Sequence, residues 1–232
     1  MLCQSEVFQP GSLLKPVPLR RQAKTSIDLI VAEAGTRYRN TLEAFIHEGF
    51  SKAYGAQVRD FLPVLVGVGR GKPEAALGIR KGTSPLFVEQ YLSAPLETVL
   101  EQHALSVPRK HIAEIGNLYS ASPRFTIPLL LATAMAMCEQ GVAVLVFSAT
   151  DKLRQLLSKN GVKLSVLAKA DPSRLAPSQS QWGRYYDSQP QVVAFSLEET
   201  FALFAKNNTL SAITDSISLA FPAFSRTLGA SL

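Results

Sequence analysis

One carboxylate stands in an otherwise apolar strand: Glu114 interrupts HIAEIGNLY, residues 111–119. A charge there is costly unless it is paired or faces a cleft. In a dry cleft its pKa rises, which suits a general base that deprotonates an amine. An ion pair with Arg109 or Arg124 is the structural alternative. SASPR, residues 120–124, follows at once and opens an apolar helix running from Phe125 to Gln140. A strand that runs into a helix N-terminus presents backbone N–H groups and a positive dipole end, where a phosphate or a thioester carrier can sit. Ser120, Ala121, Ser122, Arg124 and Phe125 form this candidate donor turn. Arg124 opposes the helix dipole, so an anion should compensate it: a donor phosphate, or Glu114 itself. Ser122 also reads as an N-cap ahead of Pro123. This combination points to a transfer enzyme.

Other residues could complete such a site. LFVEQYL, residues 86–92, reads as a strand in which Glu89 and Tyr91 alternate with Val88 and Gln90, so Glu89 and Tyr91 could face the same cleft or an exposed sheet face. Asn117 could hold the acceptor or serve as an ordinary turn residue. Trp182, Tyr185, Tyr186 and Asp187 crowd one polar segment, DPSRLAPSQSQWGRYYDSQP, residues 171–190. Long ordered loops are often functional. This aromatic group could wall an acyl tunnel and exclude water, or lock the loop onto the sheet. Arg37 and Arg39 precede the first helix, as a wall of the acceptor site or as surface charge.

The elements that must position these groups follow from periodicity. SIDLIVAEA alternates as a half-buried strand, and TLEAFIHEGFSKAYG places Leu42, Phe45, Ile46, Phe50 and Ala53 on one helical face, with Gly55 to end it. FLPVLVGVG is a strand, and Pro63 marks an edge or bulge. GRGK turns into the strand EAALGIR, and PLETVLEQHAL is a short helix with Pro95 at its first position. Beyond the long apolar helix come the strand VAVLVFSAT, the helix DKLRQLLSKN and the strand VKLSVLAKA; after the aromatic loop come the strand QVVAFSL and the helix SLEETFALFAKN. The order implies an α/β (α+β) chain with one mixed central sheet and helices on both faces. The expected organisation is an extended, proline-bearing arm (1–24), a single domain (25–206) and a C-terminal packing tail (207–232).

Composition narrows the function. The chain has 232 residues, enough to bury a full core, and a formal net charge of +6. Much of that excess lies in the second half, either as ordinary soluble surface or as an attraction for phosphates, an acidic carrier protein or anionic lipid. No aromatic-plus-basic cluster of the kind used for RNA stacking is evident, so no nucleic-acid partner is expected. Cys3 and Cys138, the two cysteines, form no framework, and three scattered histidines give no zinc spacing. The expectation is a reducing, cytoplasmic location, no metal, and membrane contact at most without a span. Residues 1–21 lack the continuous apolar core of a signal peptide.

The order of elements is similar to that of acyltransferases of the GNAT superfamily, with LLSKNGV (156–162) at a matching helix end. More specifically, the chain resembles the thermostable hemolysin family in FVEQYL (87–92), EIGNLYS (114–120), VFSAT with DKLRQLL (146–157), ADPSRL (170–175) and WGRYYD (182–187), with a looser match in YGAQVRDFLP (54–63). The resemblance covers roughly residues 27–200. It implies a GNAT-like fold shared with autoinducer synthases, which move acyl groups from thioesters to amines and carry a comparable glutamate on the comparable strand. Two departures stand out. The turn at the start of the central helix, SASPRFTIP, holds no glycine to let backbone approach a pyrophosphate. Leu157 occupies the region where many GNAT enzymes place a proton-donating tyrosine, so Tyr185 or Tyr186 would have to serve.

The implied function is transfer of a fatty acyl group from acyl-coenzyme A or an acidic acyl carrier protein to a small amine, giving an N-acylated, membrane-active product. No tightly bound cofactor is expected. Glu114 and Tyr185 would be catalytic, the 120–125 turn would hold the donor, and Glu89, Tyr91, Asn117, Trp182, Tyr186, Asp187 and Arg37 would contact substrate. Two alternatives stay open: a protein that lyses membranes directly through an apolar tail near Ile217 to Phe224, and a module that binds acyl donors without catalysis.

Overall fold

The computed structural model describes residues 27–176, 182–205 and 211–232. The expected N-terminal arm lies outside the described residues. Among them, seven strands form one sheet: β1 (Asp28–Ala32), β2 (Val64–Gly69), β3 (Pro73–Lys81), β4 (Ile112–Ser120), β5 (Val144–Ala149), β6 (Ser165–Lys169) and β7 (Gln191–Ser196). Their order is β1-β2-β3-β4-β5-β7-β6. Every neighbouring pair is antiparallel except the central one, β4 with β5.

That parallel pair is short. Ile112, Ala113 and Glu114 pair with Val144, Leu145 and Val146, and there the ladder stops although both strands continue. The sheet opens between them from Glu114 onward. On its other side β4 stays bound to β3, with a bulge between Ala76 and Gly78 opposite Asn117, whose φ of 53° is left-handed. Asparagine tolerates that conformation better than most residues, and a bulge bends the strand that carries it.

Helices cover both faces. On one lie α3 (Pro123–Glu139), α4 (Asp151–Lys159), α5 (Leu197–Ala205), α6 (Ser211–Ile217) and α7 (Phe221–Ser231), which share a core with the sheet. On the other lie α1 (Arg37–Tyr54), packed on β2 and β3, and α2 (Leu96–Gln102) with a 3₁₀ turn at Phe87–Tyr91, packed near β5 and β7. Gly49 lets α1 approach the sheet closely: a Cβ there would stand 2.2 Å from the Tyr119 ring. The α3 helix is apolar almost all round because it is sandwiched between the sheet and α6 with α7. Met135 and Met137 are fully buried in it.

One expected element changes type. LFVEQYL is a 3₁₀ turn, not a strand. Its buried residues, Val88 and Tyr91, are three apart, the period of a 3₁₀ helix. Side chains also stabilise the turn: Leu86 N–H donates to Glu89 Oε2 at 2.6 Å, and Phe87 and Val88 N–H donate to Glu114. Pro63 stands just outside β2, an interior strand rather than an edge.

Candidate active site

Glu114 is 2 % exposed and lies where β4 and β5 part. Its Oε2 accepts from Phe87 N–H and its Oε1 from Val88 N–H, both at 2.9 Å. Neither expected ion pair forms. Arg109 instead grips Glu89, at 2.7 and 2.8 Å, and Glu97 at 3.2 Å. Arg124 is exposed and lies over the Phe125 ring. Burial pushes the Glu114 carboxyl up to about 7, against the two amide bonds and the nearby charge of Arg80, which pull it down. It therefore exchanges a proton near neutrality. Each oxygen accepts one N–H bond, leaving acceptor capacity for a further proton donor.

The carboxylate faces a cavity of about 570 Å³. Its walls come from the C-terminal half of α1 with the 57–62 segment, from β4 and β5 beyond their point of parting, from the 3₁₀ turn, from α4 and from the 182–186 loop. Asn117 fastens the 57–62 wall: its Oδ1 accepts Leu62 N–H at 2.9 Å and its Nδ2 donates to the Asp60 carbonyl at 3.1 Å. Aromatic rings line one side continuously. Trp182 stands 6.0 Å from Phe50, 6.0 Å from Phe87 and 5.6 Å from Tyr185, centroid to centroid. The hydroxyls of Tyr91 and Tyr186 bond at 2.7 Å, and Tyr185 lies 3.2 Å from Ser148 Oγ. Burial raises all three phenols above the ordinary tyrosine range, so they remain protonated near neutral pH. The loop bearing the rings is clamped to the end of α1: Arg184 N–H donates to the Tyr54 carbonyl at 2.8 Å. Gly183 makes this possible, with φ +52° and a Cβ position only 2.2 Å from that carbonyl oxygen.

The structure brings together Glu114, Tyr91, Asn117, Ser120, Trp182, Tyr185 and Tyr186 on one cavity wall system. The other expected site residues do not line it. Glu89 is bound to Arg109 and the Leu86 amide, because the segment coils instead of extending. Arg37 is exposed at the start of α1, while Arg39, read as a wall of the acceptor site or a surface charge, is buried, pairs with Glu43 and donates to the Leu62 and Pro63 carbonyls. Asp187 is exposed. In the donor turn only Ser120 reaches the cavity, alongside Pro123 and Thr126 of α3. Ala121 N–H is taken by the Glu74 carbonyl and Phe125 N–H by that of Ser122; Phe125's ring is core, and Arg124 points to solvent. Ser122 is the N-cap residue, though its hydroxyl makes no capping bond.

Sequence reading missed four contributors: Arg80, Ser148, the α1 aromatics Phe50 and Tyr54, and the face of α4 bearing Lys152, Leu156 and Lys159. The α4 residues recur at i, i+4 and i+7, so that signal was present. Arg80 and Ser148 carry no local mark, because their role depends on which strands become neighbours.

The family model of thermostable hemolysin matches residues 32–201, most of the chain. The chain belongs to the thermostable hemolysin family. No curated protein matches it in sequence. Among solved structures it is similar to LasI, described as an AHL synthase, with 13 % identity, 78 % of this chain and 96 % of that one covered, and a TM-score of 0.53. It is also similar to BjaI, a coenzyme A-dependent acyl-homoserine lactone synthase, with 12 % identity, coverage of 78 % and 89 %, and a TM-score of 0.52. FeeM, an N-acyl amino acid synthase from uncultured soil microbes, matches with 10 % identity, coverage of 79 % and 98 %, and a TM-score of 0.52. This hemolysin-family chain therefore has the GNAT-like fold expected from its element order. Among the described residues no helix is long and apolar enough to cross a membrane.

Proposed function

We propose that the protein transfers a fatty acyl group from a thioester to a small amine. The observation that carries this reading is the position of Glu114: a buried carboxyl with a pKa near neutrality, at the point where two parallel strands part, facing a largely apolar cavity. Unpaired strand edges beyond Glu114 can hydrogen-bond the amide groups of a pantetheine arm, and the apolar walls suit an acyl chain. Glu114 takes a proton from the attacking amine. Tyr185 is the candidate donor to the departing thiolate; its raised pKa keeps the phenol protonated, and Ser148 orients it. Lys152 and Lys159 on α4 offer charge to a donor's phosphates. Acyl-coenzyme A and an acyl carrier protein both present that chemistry, and the 120–125 turn, with two of its amides already bonded, gives a pyrophosphate little purchase. The function of this fold in similar proteins, synthases of acyl-homoserine lactones and N-acyl amino acids, supports the same reading.

The test is direct. Purified protein is incubated with medium-chain acyl-coenzyme A or acylated carrier protein and a panel of amines, and free thiol and N-acyl products are measured. Transfer is expected, and Glu114→Gln should lower it by about 10²–10⁴-fold. Undiminished transfer by Glu114→Gln would remove Glu114 from the chemistry. A product-based origin of lysis further requires that purified protein without donor lyse no red cells.

A further inference from the structure

The cavity carries two opposite charges that form no ion pair with each other. Arg80 on β3 stands directly across the ladder from Glu114 on β4. Directly opposed residues of an antiparallel pair project from the same sheet face, with Cβ atoms about 5 Å apart. Both line the cavity. Yet the Glu114 oxygens are held by Phe87 and Val88 amides, and Arg80 Nη1 donates to the Pro85 carbonyl at 3.1 Å. That bond occupies one of about five guanidinium donors. Among the described residues, no carboxylate lies within ion-pair distance of Arg80. The other arginine on the cavity wall, Arg59, lies on the 57–62 segment and donates to Gln57 Oε1 at 3.2 Å, and it does not face Glu114 across a strand ladder.

A simple amine would meet Glu114 and leave this guanidinium unanswered. A zwitterion answers both groups, amine to Glu114 and carboxylate to Arg80. In an α-amino acid these two groups share one carbon, so one small molecule presents both to side chains that project from the same face of neighbouring strands. We propose that the acceptor is an α-amino acid or a similarly short amino carboxylate, its carboxylate bound by Arg80. The assignment rests on the acyl-transfer reading above. The ammonium first gives one proton to the Glu114 carboxylate, which passes it to solvent, and the freed amine lone pair attacks the thioester carbonyl carbon. A C–N bond forms and the C–S bond breaks; the nitrogen loses its second proton to Glu114, the thiolate takes up one proton in turn, and the carboxylate of Glu114 is regenerated with one proton released overall. The products are a free thiol and an N-acyl amino carboxylate, an anionic amphiphile, and no oxidant or reductant is needed.

The experiment uses the full chain with acyl-coenzyme A and acylated carrier protein. Acceptors are the twenty amino acids, each set against its carboxamide and its decarboxylated amine, with thiol release and mass spectrometry as readouts. Fluorescence of Trp182, the chain's single tryptophan and a cavity residue, reports acceptor binding without turnover. The best amino acid should exceed its carboxamide in kcat/KM by about 10- to 100-fold, the value of one charge-assisted contact. Arg80→Gln should bring that ratio close to one, and Arg80→Lys should keep part of it. If Arg80→Gln does not fold, the wild-type ratio and the lysine variant still decide. Amides and amines acylated as well as the acids, in a ratio indifferent to position 80, would overturn the acceptor assignment and leave acyl transfer standing. With no acylation and no thiol release, the acyl-transfer reading fails; a fluorescence response to amino acids lost in Arg80→Gln would then preserve the binding site, and no response would overturn it.

Discussion

Glu114 has two jobs in one place. Its carboxylate binds the first two amides of the 87–91 turn, and the same group, dried by burial, is the candidate base. Both jobs depend on its proton in ways that can be measured. A base must be ionised, so kcat/KM should rise with pH and level off above about 7, the value to which burial lifts this carboxyl. Stability should move the other way. The folded pKa lies above the ordinary carboxylate value of 4.5, so the folded chain binds the proton more tightly than the unfolded chain does. The associated stabilisation is complete below about 4.5 and is lost as pH rises through about 7, a fall of roughly 3 kcal/mol for this group. Urea unfolding at pH 5 and pH 8 should show that fall in the wild type relative to Glu114→Gln. Equal pH dependence in both proteins would mean that Glu114 titrates at an ordinary value. Glu89 contributes the opposite trend, because Arg109 holds its carboxyl below the usual range.

At the scale of elements, the site is an opening in a sheet kept open by loops. β4 bends at the Asn117 bulge while β5 continues with β7, and the 57–62 segment is tied to that bulge by both ends of the Asn117 amide. Asn117→Ala loses two hydrogen bonds and places a less tolerant residue at positive φ, at a cost of about 2–3 kcal/mol. Asn117→Gly relieves the backbone but restores neither bond, so it should fall between the two. Chemical denaturation checks this order, and acceptor KM should rise in both variants because the wall they loosen is shared with the cavity. An alanine variant as stable as the wild type would show that the 57–62 wall stands without Asn117.

Across the whole molecule, the last two helices belong to the core. Phe221, Phe224 and Leu228 of α7 and Ile217 of α6 are buried against α3, and α7 also contacts β1. In the apolar stretch near Ile217 to Phe224, the candidate membrane-lytic tail, Ile217, Phe221 and Phe224 turn into the protein's own core, while Leu219 is exposed. Phe224→Ala should cost about 3–5 kcal/mol, as large-to-small changes in a packed core do, and a thermal melt measures it. A loss under 1 kcal/mol would mark α7 as a loosely docked appendage.

The residues by themselves determined the element order apart from the 87–91 turn, the mixed sheet with helices on both faces, and the unusual placing of Glu114 in an apolar strand, because hydrophobic period and an isolated charge are local signals. They could not determine which cation stands nearest that charge. Arg109 and Arg124 are near Glu114 in sequence, but the chain turns one toward Glu89 and the other toward solvent, while strand pairing sets Arg80 across from it. The same holds for the 87–91 turn, whose alternation imitates a strand; it coils because Glu114, 26 residues away, supplies acceptors to its amides. Register and long-range hydrogen bonds exist only once the strands have found their neighbours, so the partners of the central carboxylate, and the shape of the cavity around it, were decided by tertiary structure alone.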